Sequence, residues 1–112
     1  MIEKVIIEYL RNALSMKEVY AEKPDDRPSK YVIIEKTGSG KKNHIESSTI
    51  AIQSIACSLY EAARLNERIK DAMDNILALN NISSSRLNTD YNYTNTATKE
   101  YRYQAVYELV HD

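Results

Sequence analysis

From Ile2 to Leu14 the apolar residues recur in steps of three and four: Ile2, Val5, Ile6, Tyr9, Leu10, Ala13 and Leu14. Glu3, Lys4, Glu8, Arg11 and Asn12 lie on the other side. That spacing predicts an amphipathic helix. Glu3 and Glu8 towards its start and Arg11 towards its end suit the helix dipole. Met16–Glu22 reads as a short strand. Lys23-Pro24-Asp25-Asp26-Arg27-Pro28-Ser29 then predicts an exposed loop, because its prolines fit neither a helix interior nor a central strand. Tyr31–Lys36 is β-branched and strand-like. Thr37–Asn43 holds both glycines of the chain and predicts a turn. A strand from His44 would complete a hairpin, with Ile50 and Ile52 alternating with Thr49, Ala51 and Gln53.

The helical spacing returns at Ile55. Leu59, Ala62, Ala63, Ile69, Ala72, Met73, Ile76 and Leu77 continue it, for a helix of about six turns. In this reading Leu65 sits off the stripe and Asn66 is a polar gap in it. A strand that runs straight into an amphipathic helix makes His44–Leu79 the centre of the domain, since the helix must bury its stripe on a sheet. Asn80 is the expected C-cap and Asn80–Ser85 ends the helix. Arg86–Tyr93 predicts a strand with Leu87, Thr89, Tyr91 and Tyr93 on one face. After the polar turn Thr94–Thr98, Tyr101, Tyr103, Ala105, Tyr107 and Leu109 alternate with Arg102, Gln104, Val106, Glu108 and Val110. This is the longest strict alternation in the chain, and it closes a second hairpin. The expected order is α-β-β-β-α-β-β, without internal repeats, in one domain spanning residues 1–112.

Composition narrows the function. Fifteen basic and 16 acidic residues leave a net charge of −1, so there is no general field to draw in nucleic acid or an anionic membrane. The aromatic residues are nine Tyr, with no Phe and no Trp. Their hydroxyls suit half-exposed faces and interfaces, or equally a Tyr-rich sheet rim. Cys57 is the only cysteine, so no intrachain disulfide forms, in keeping with a reducing compartment. No apolar run has the length of a membrane span. The acidic N-terminal segment does not read as a signal peptide. A cytoplasmic protein is expected.

Candidate chemistry is sparse. Thr37-Gly38-Ser39-Gly40-Lys41-Lys42 has the flavour of a phosphate loop. However, Glu35 stands where the first Gly should be and Lys42 where Ser or Thr should follow the Lys, and the segment leads into a strand. His44 and His111 have no partners at metal-ligand spacing, and Glu46 near His44 reads as a solvated pair. Cys57, between Ala56 and Ser58, reads as a small core residue rather than a nucleophile. Asp71 and Asp74 alternate with Lys70 and Arg68 on a solvent face. Nothing assembles an acid, a base and an oxyanion donor, so the expectation is a protein that is not an enzyme and takes no metal or cofactor. Two binding candidates remain. One is the basic cluster Lys36, Lys41, Lys42 and His44. The other is the Tyr-, Thr- and Asn-rich last hairpin, where Tyr101, Tyr103 and Tyr107 are expected to cover the helices and Tyr91, Tyr93 and Arg102 to meet a partner. With Arg27 and Asn95 added, the candidate interface set is Arg27, Lys36, Lys41, Lys42, Tyr91, Tyr93, Asn95 and Arg102.

The order of these features resembles the small tail-terminator, or tail-completion, proteins of long-tailed bacteriophages. The likeness runs through nearly the whole chain: an amphipathic helix and short strand, a Pro-containing loop, the YVIIEKTGSG strand and turn, a strand leading into SLYEAARLNERIKDAMDNI, and a last strand ending RYQAVYEL. Its most specific pieces are Pro28 to Gly40 and Arg102-Tyr103. The resemblance implies an α+β fold, a mixed and largely antiparallel sheet with both helices on one side. It also implies a structural role in a virion or prophage. Subunits would close into a ring, commonly six-fold, on the head-proximal end of the tail tube. The ring would stop tube polymerisation and join the head connector or stopper. The implied partners are further copies of the chain, the tube protein and the connector, with no membrane and no specific nucleic acid. The implied location is the host cytoplasm during assembly and then the virion tail. A ring subunit needs heterologous interfaces that close on themselves. The competing expectation is a small nucleic-acid-binding module, in which Tyr91, Tyr93, Tyr101 and Tyr103 stack bases while Lys41, Lys42 and Arg102 hold phosphates.

Overall fold

The computed structural model describes residues 1–112. The elements are α1 (Ile2–Leu14), β1 (Val19–Tyr20), β2 (Tyr31–Lys42), β3 (Ile45–Ala56), α2 (Leu59–Asp74), β4 (Ile82–Asn92) and β5 (Tyr101–His111), with a 3-10 turn at Ile76–Ala78 after α2. This is the expected α-β-β-β-α-β-β order in an α+β fold. The strands form one sheet in the order β1-β2-β3-β5-β4. Only β1 runs parallel to its neighbour; the other pairings are antiparallel. No helix is long and apolar enough to cross a membrane.

Both helices cover the same face of the sheet. Ile2, Ile6, Leu10 and Leu14 of α1 and Leu65, Ile69 and Met73 of α2 form one buried cluster with Val32, Ile34, Ile50, Ile52, Ala105, Tyr107 and Leu109 of the strands. The period-two pattern of β5 explains its share: Ala105, Tyr107, Leu109 and His111 point inward while Val106, Glu108 and Val110 stay half-exposed. Tyr9 on α1 ties the helices together by donating its hydroxyl to the Ala72 carbonyl at 2.6 Å. The opposite face is bare except at one end, where Tyr31, Ile33 and Ile55 form a small buried cluster flanked by Tyr20.

Several local expectations need correction. The turn of the first hairpin is Asn43-His44, both with positive φ (52° and 67°). The two glycines instead lie inside β2, paired with β3 at Gly38↔Thr49 and Gly40↔Ser47. Asn is one of the few residues that tolerates the left-handed region, and two such residues make the tight turn that matches strand twist. The bulge at Thr37, between Lys36 and Gly38 in the register, falls where the glycine-bearing run begins. β1 is far shorter than Met16–Glu22, because it pairs only through Val19↔Val32 and Tyr20↔Ile33.

Ile55 belongs to β3. The helix starts after Ser58, whose hydroxyl accepts the Glu61 N–H at 3.1 Å. The helix C-cap is Asn75 rather than Asn80. The buried stripe of α2 runs through Ala62, Leu65, Asn66, Ile69 and Met73, while Leu59 and Leu77 are exposed. Leu65 and Asn66 are therefore core residues, and Cys57 is exposed rather than buried. β4 begins at Ile82, and Leu87 does not share a face with Thr89, Tyr91 and Tyr93. A bulge at Asn88 sets Leu87 opposite Tyr107 and Thr89 opposite Val106, which puts the two on opposite faces.

Candidate functional site

The strands run the length of an elongated domain, 44 × 26 × 25 Å. β2 and β3 meet in the Asn43-His44 turn at one end, whereas β4 and β5 meet at the other, next to Ala56 and Tyr31. The two sequence-predicted clusters therefore stand at opposite ends of the sheet. With Glu46 level with His111 and Ala56 level with Tyr101, about ten strand residues separate them, roughly 30 Å.

At the β4–β5 end the structure gathers Arg27, Tyr91, Tyr93, Asn95 and Arg102. The turn is shaped by Asn95, which exchanges backbone hydrogen bonds with Glu100 (3.0 and 3.2 Å) and accepts the Ala97 N–H on its side chain (3.1 Å). The Arg102 guanidinium lies over the Tyr93 ring, 4.5 Å from its centroid, and its Nε donates to the Tyr93 carbonyl at 2.6 Å. Tyr93 meets Tyr91 edge-on at 5.8 Å. The Tyr91 hydroxyl, Gln104 and Gln53 form a short hydrogen-bonded row across β4, β5 and β3.

Glu100 is the electrostatic centre of this end. Lys23 lies 2.8 Å from one carboxylate oxygen and Arg102 Nη1 3.1 Å from the other. The hydrogen bond from Lys23, with the charges of Lys23, Arg102 and Arg27, holds the Glu100 carboxyl below the usual carboxylate range. Burial, reinforced by the Glu100 charge, raises the Tyr31 hydroxyl. A cleft of about 310 Å³ opens beside these groups, with Ile33, Gln53 and Ile55 in its lining.

Lys41 and Lys42 occupy the other end, and Lys36 lies midway along β2, opposite Ile50. A larger cleft, about 610 Å³, lies between the first turn of α1 and the β2–β3 hairpin, and Lys36, Lys41, Glu46, Ser48 and His111 line it. His111 is buried. Its Nδ1 has the Asp112 carbonyl at 3.1 Å and a Glu46 oxygen at 3.9 Å. Both are acceptors facing Nδ1, and Nε2 is hydrogen-bonded to the Ser48 hydroxyl at 2.8 Å. Ser48 and His111 thus tie β3 to β5, and the serine hydroxyl is committed to that bond at 3% exposure. His44 lies in the hairpin turn, so Glu46 keeps company with His111 and not with His44.

The four tyrosines proposed as a stacking surface do not share one. Tyr103 lies opposite Ser54 and Asn92 on the helix side, and Tyr101 shares that side; Tyr91 and Tyr93 lie on the bare face with Arg102. Apart from Tyr91 and Tyr93, sequence reasoning missed the exposed apolar residues. Among large apolar side chains, Leu59, Tyr60, Tyr91 and Tyr93 are exposed at the β4–β5 end. Met1, Ile45 and Leu77 are exposed at the hairpin end, and Leu87 alone along the sheet edge. Nothing in the local pattern marks Leu59 or Leu77, since both fit the helical stripe.

No group of three or more His, Cys, Asp or Glu side chains stands together in a way that could hold a metal ion. The fold defines the chain as a small α+β domain with apolar surface at both ends of its sheet. No family model matches the chain, and no curated protein matches it.

Proposed function

We propose that the chain is a ring-forming structural subunit of the phage tail-terminator type. In this reading it caps the head-proximal end of the tail tube and joins the tail to the head connector. The observation that carries the proposal is the division of exposed apolar side chains between two opposed ends: Leu59, Tyr60, Tyr91 and Tyr93 at one, Met1, Ile45 and Leu77 at the other. A subunit stacked between a tube and a connector needs a binding surface at each end, and large exposed apolar side chains clustered with Arg mark such surfaces. The sequence resemblance supplies the identity of the two partners.

The test is tube assembly in vitro. Adding the chain to polymerising tail tube protein should arrest growth at short lengths and leave a cap at one end by electron microscopy. Tubes that elongate unchanged and carry no cap would contradict the proposal. The nucleic-acid alternative has weaker support, because its aromatic residues divide between two faces and its lysines lie at the far end from Arg102. Micromolar binding of a labelled single strand, falling steeply as salt rises, would restore it.

A further inference from the structure

The cleft beside Glu100 opens on the bare face of the sheet, and its floor is apolar. Ile33 and Ile55 supply that floor, with Tyr31 beside them, and none of the three is more than 8% exposed. Ala21–Lys23 walls the cleft on one side, and Lys23 is tied to Glu100 at 2.8 Å. Glu100 and Arg102 stand on the β5 side. The volume, about 310 Å³, is at the lower end of the ~300–1,000 Å³ typical of small-molecule sites. It suits a single side chain better than a cofactor.

The charges around the cleft are unevenly spent. Three carboxylates and two cations line it. Both cations are engaged within the chain: Lys23 with Glu100, and Arg102 with Glu100 at 3.1 Å and the Tyr93 carbonyl at 2.6 Å. Arg27 acts on Glu100 through its charge but does not line the cleft. Glu22 and Glu35 are exposed, and neither has an ion pair.

That pattern selects the occupant. An anion would meet Glu22 and Glu35. It could reach Lys23 or Arg102 only by taking them from Glu100, whose side chain is 15% exposed, and a carboxylate so covered is costly to leave unpaired. An apolar side chain would fill the floor but strip water from Glu22 and Glu35 without pairing them. A cation on an aliphatic stem meets both demands, with its stem on Ile33 and Ile55 and its head towards the two free carboxylates. Arginine fits better than lysine, because its planar guanidinium is more weakly hydrated and grips a carboxylate through two parallel N–H groups.

The surroundings point to a protein as the source. Arg102, in the cleft wall, lies over the Tyr93 ring, and Tyr93 and Tyr91 are 42% and 40% exposed. A partner that covers these rings reaches the mouth of the cleft. Tyr-rich patches around a pocket that takes an arginine are a common centre of protein interfaces.

We propose that this cleft receives an arginine side chain of the partner protein that covers the Tyr91–Tyr93 surface. The inference rests on the reading of this end as a partner-binding surface and names what the partner brings. The probe is propylguanidinium, the arginine side chain as a free ion, titrated into the isotope-labelled full chain and followed by amide NMR shifts. Saturable shifts are expected at Glu22, Lys23, Ile33, Glu35 and Gln53, in the millimolar range, with butylammonium weaker and butyrate without effect. Glu22→Gln and Glu35→Gln should each weaken binding about threefold, as expected for exposed charge pairs. Butyrate binding as tightly as propylguanidinium, shifts that never saturate, or binding unchanged in the double variant would overturn the proposal. In the tube-assembly assay the double variant should cap about tenfold less effectively. Undiminished capping by a double variant that has lost the probe would overturn the partner's use of the cleft and leave the ring reading standing. A wild-type chain that binds the probe yet arrests no tube would overturn the ring reading and uphold the arginine cleft.

Discussion

Replacing Asp90 by Ala should destabilise the domain by about 2–3 kcal/mol. Asp90 reaches from β4 to α2 on the covered face of the sheet, where its Oδ2 accepts from Asn66 Nδ2 at 2.9 Å and from Lys70 Nζ at 3.1 Å. Asn66 is 2% exposed and its Oδ1 already lacks a partner, so Asp90 supplies the only side-chain hydrogen bond of a buried amide. Leaving that amide unpaired costs about 1–3 kcal/mol. The ion pair with Lys70, whose ammonium pKa is raised by the hydrogen bonds it donates to Glu67 and Asp90, adds about 0.5 kcal/mol, because both side chains remain a quarter exposed. Asp90→Asn keeps an acceptor for Asn66 and should lose only about 1 kcal/mol. Urea unfolding at low protein concentration, followed by circular dichroism, measures these differences as shifts in midpoint at constant slope. Asn66→Ala with Asp90→Ala should cost at least about 1 kcal/mol less than the sum of the single variants. A loss below about 0.5 kcal/mol for Asp90→Ala, or strict additivity in the pair, would refute the reasoning.

Other expected outcomes follow from single groups. Burial, with the nearby Asp74 carboxylate, pushes the Tyr107 hydroxyl up to about 12 from 10.0. The folded chain therefore keeps this proton while the unfolded chain loses it. Stability should be full below pH 10 and fall as pH rises towards about 12, and Tyr107→Phe should flatten that slope in urea titrations. Glu100 behaves in the opposite sense: its contribution is present above its unfolded value of 4.5 and is lost as pH falls through the lowered folded one. Glu100→Gln should therefore reduce the acid sensitivity of the urea midpoint below pH 4.5. His44 holds a φ of 67° in the hairpin turn, so His44→Gly should stabilise the domain by up to about 1 kcal/mol in the same assay.

Element order was legible because it depends on periodicity, which survives small errors in register. The α1 stripe, the strict alternation of β5 and the Pro24–Pro28 break all read directly from the chain. What escaped the sequence was set by tertiary contacts. Glycine suggests a turn, but Gly38 and Gly40 lie in a strand whose outer edge is free, and the reversal fell two residues beyond Lys41 at Asn43-His44, whose positive φ has no strong local signature. A bulge adds one residue and inverts the faces beyond it, so the period-two count in β4 misassigned Leu87. Asn66 looked like a gap in the α2 stripe because the partner that lets it be buried, Asp90, is 24 residues away. Of the candidate interface set, Arg27, Tyr91, Tyr93, Asn95 and Arg102 converge, while Lys41 and Lys42 stand at the far end and Lys36 midway along β2. No sequence pattern could give the distance between them, because it follows from the direction of the strands.

The central claim is self-association into a closed ring, and mass by light scattering across a wide range of protein concentration tests it most directly. The account predicts growth to a discrete species of about six times the 12.9 kDa subunit mass, or another closed ring number, with no larger polymer. A stable two-fold dimer that higher concentration takes no further would contradict it, since an isologous contact uses up the surface that a ring must leave open.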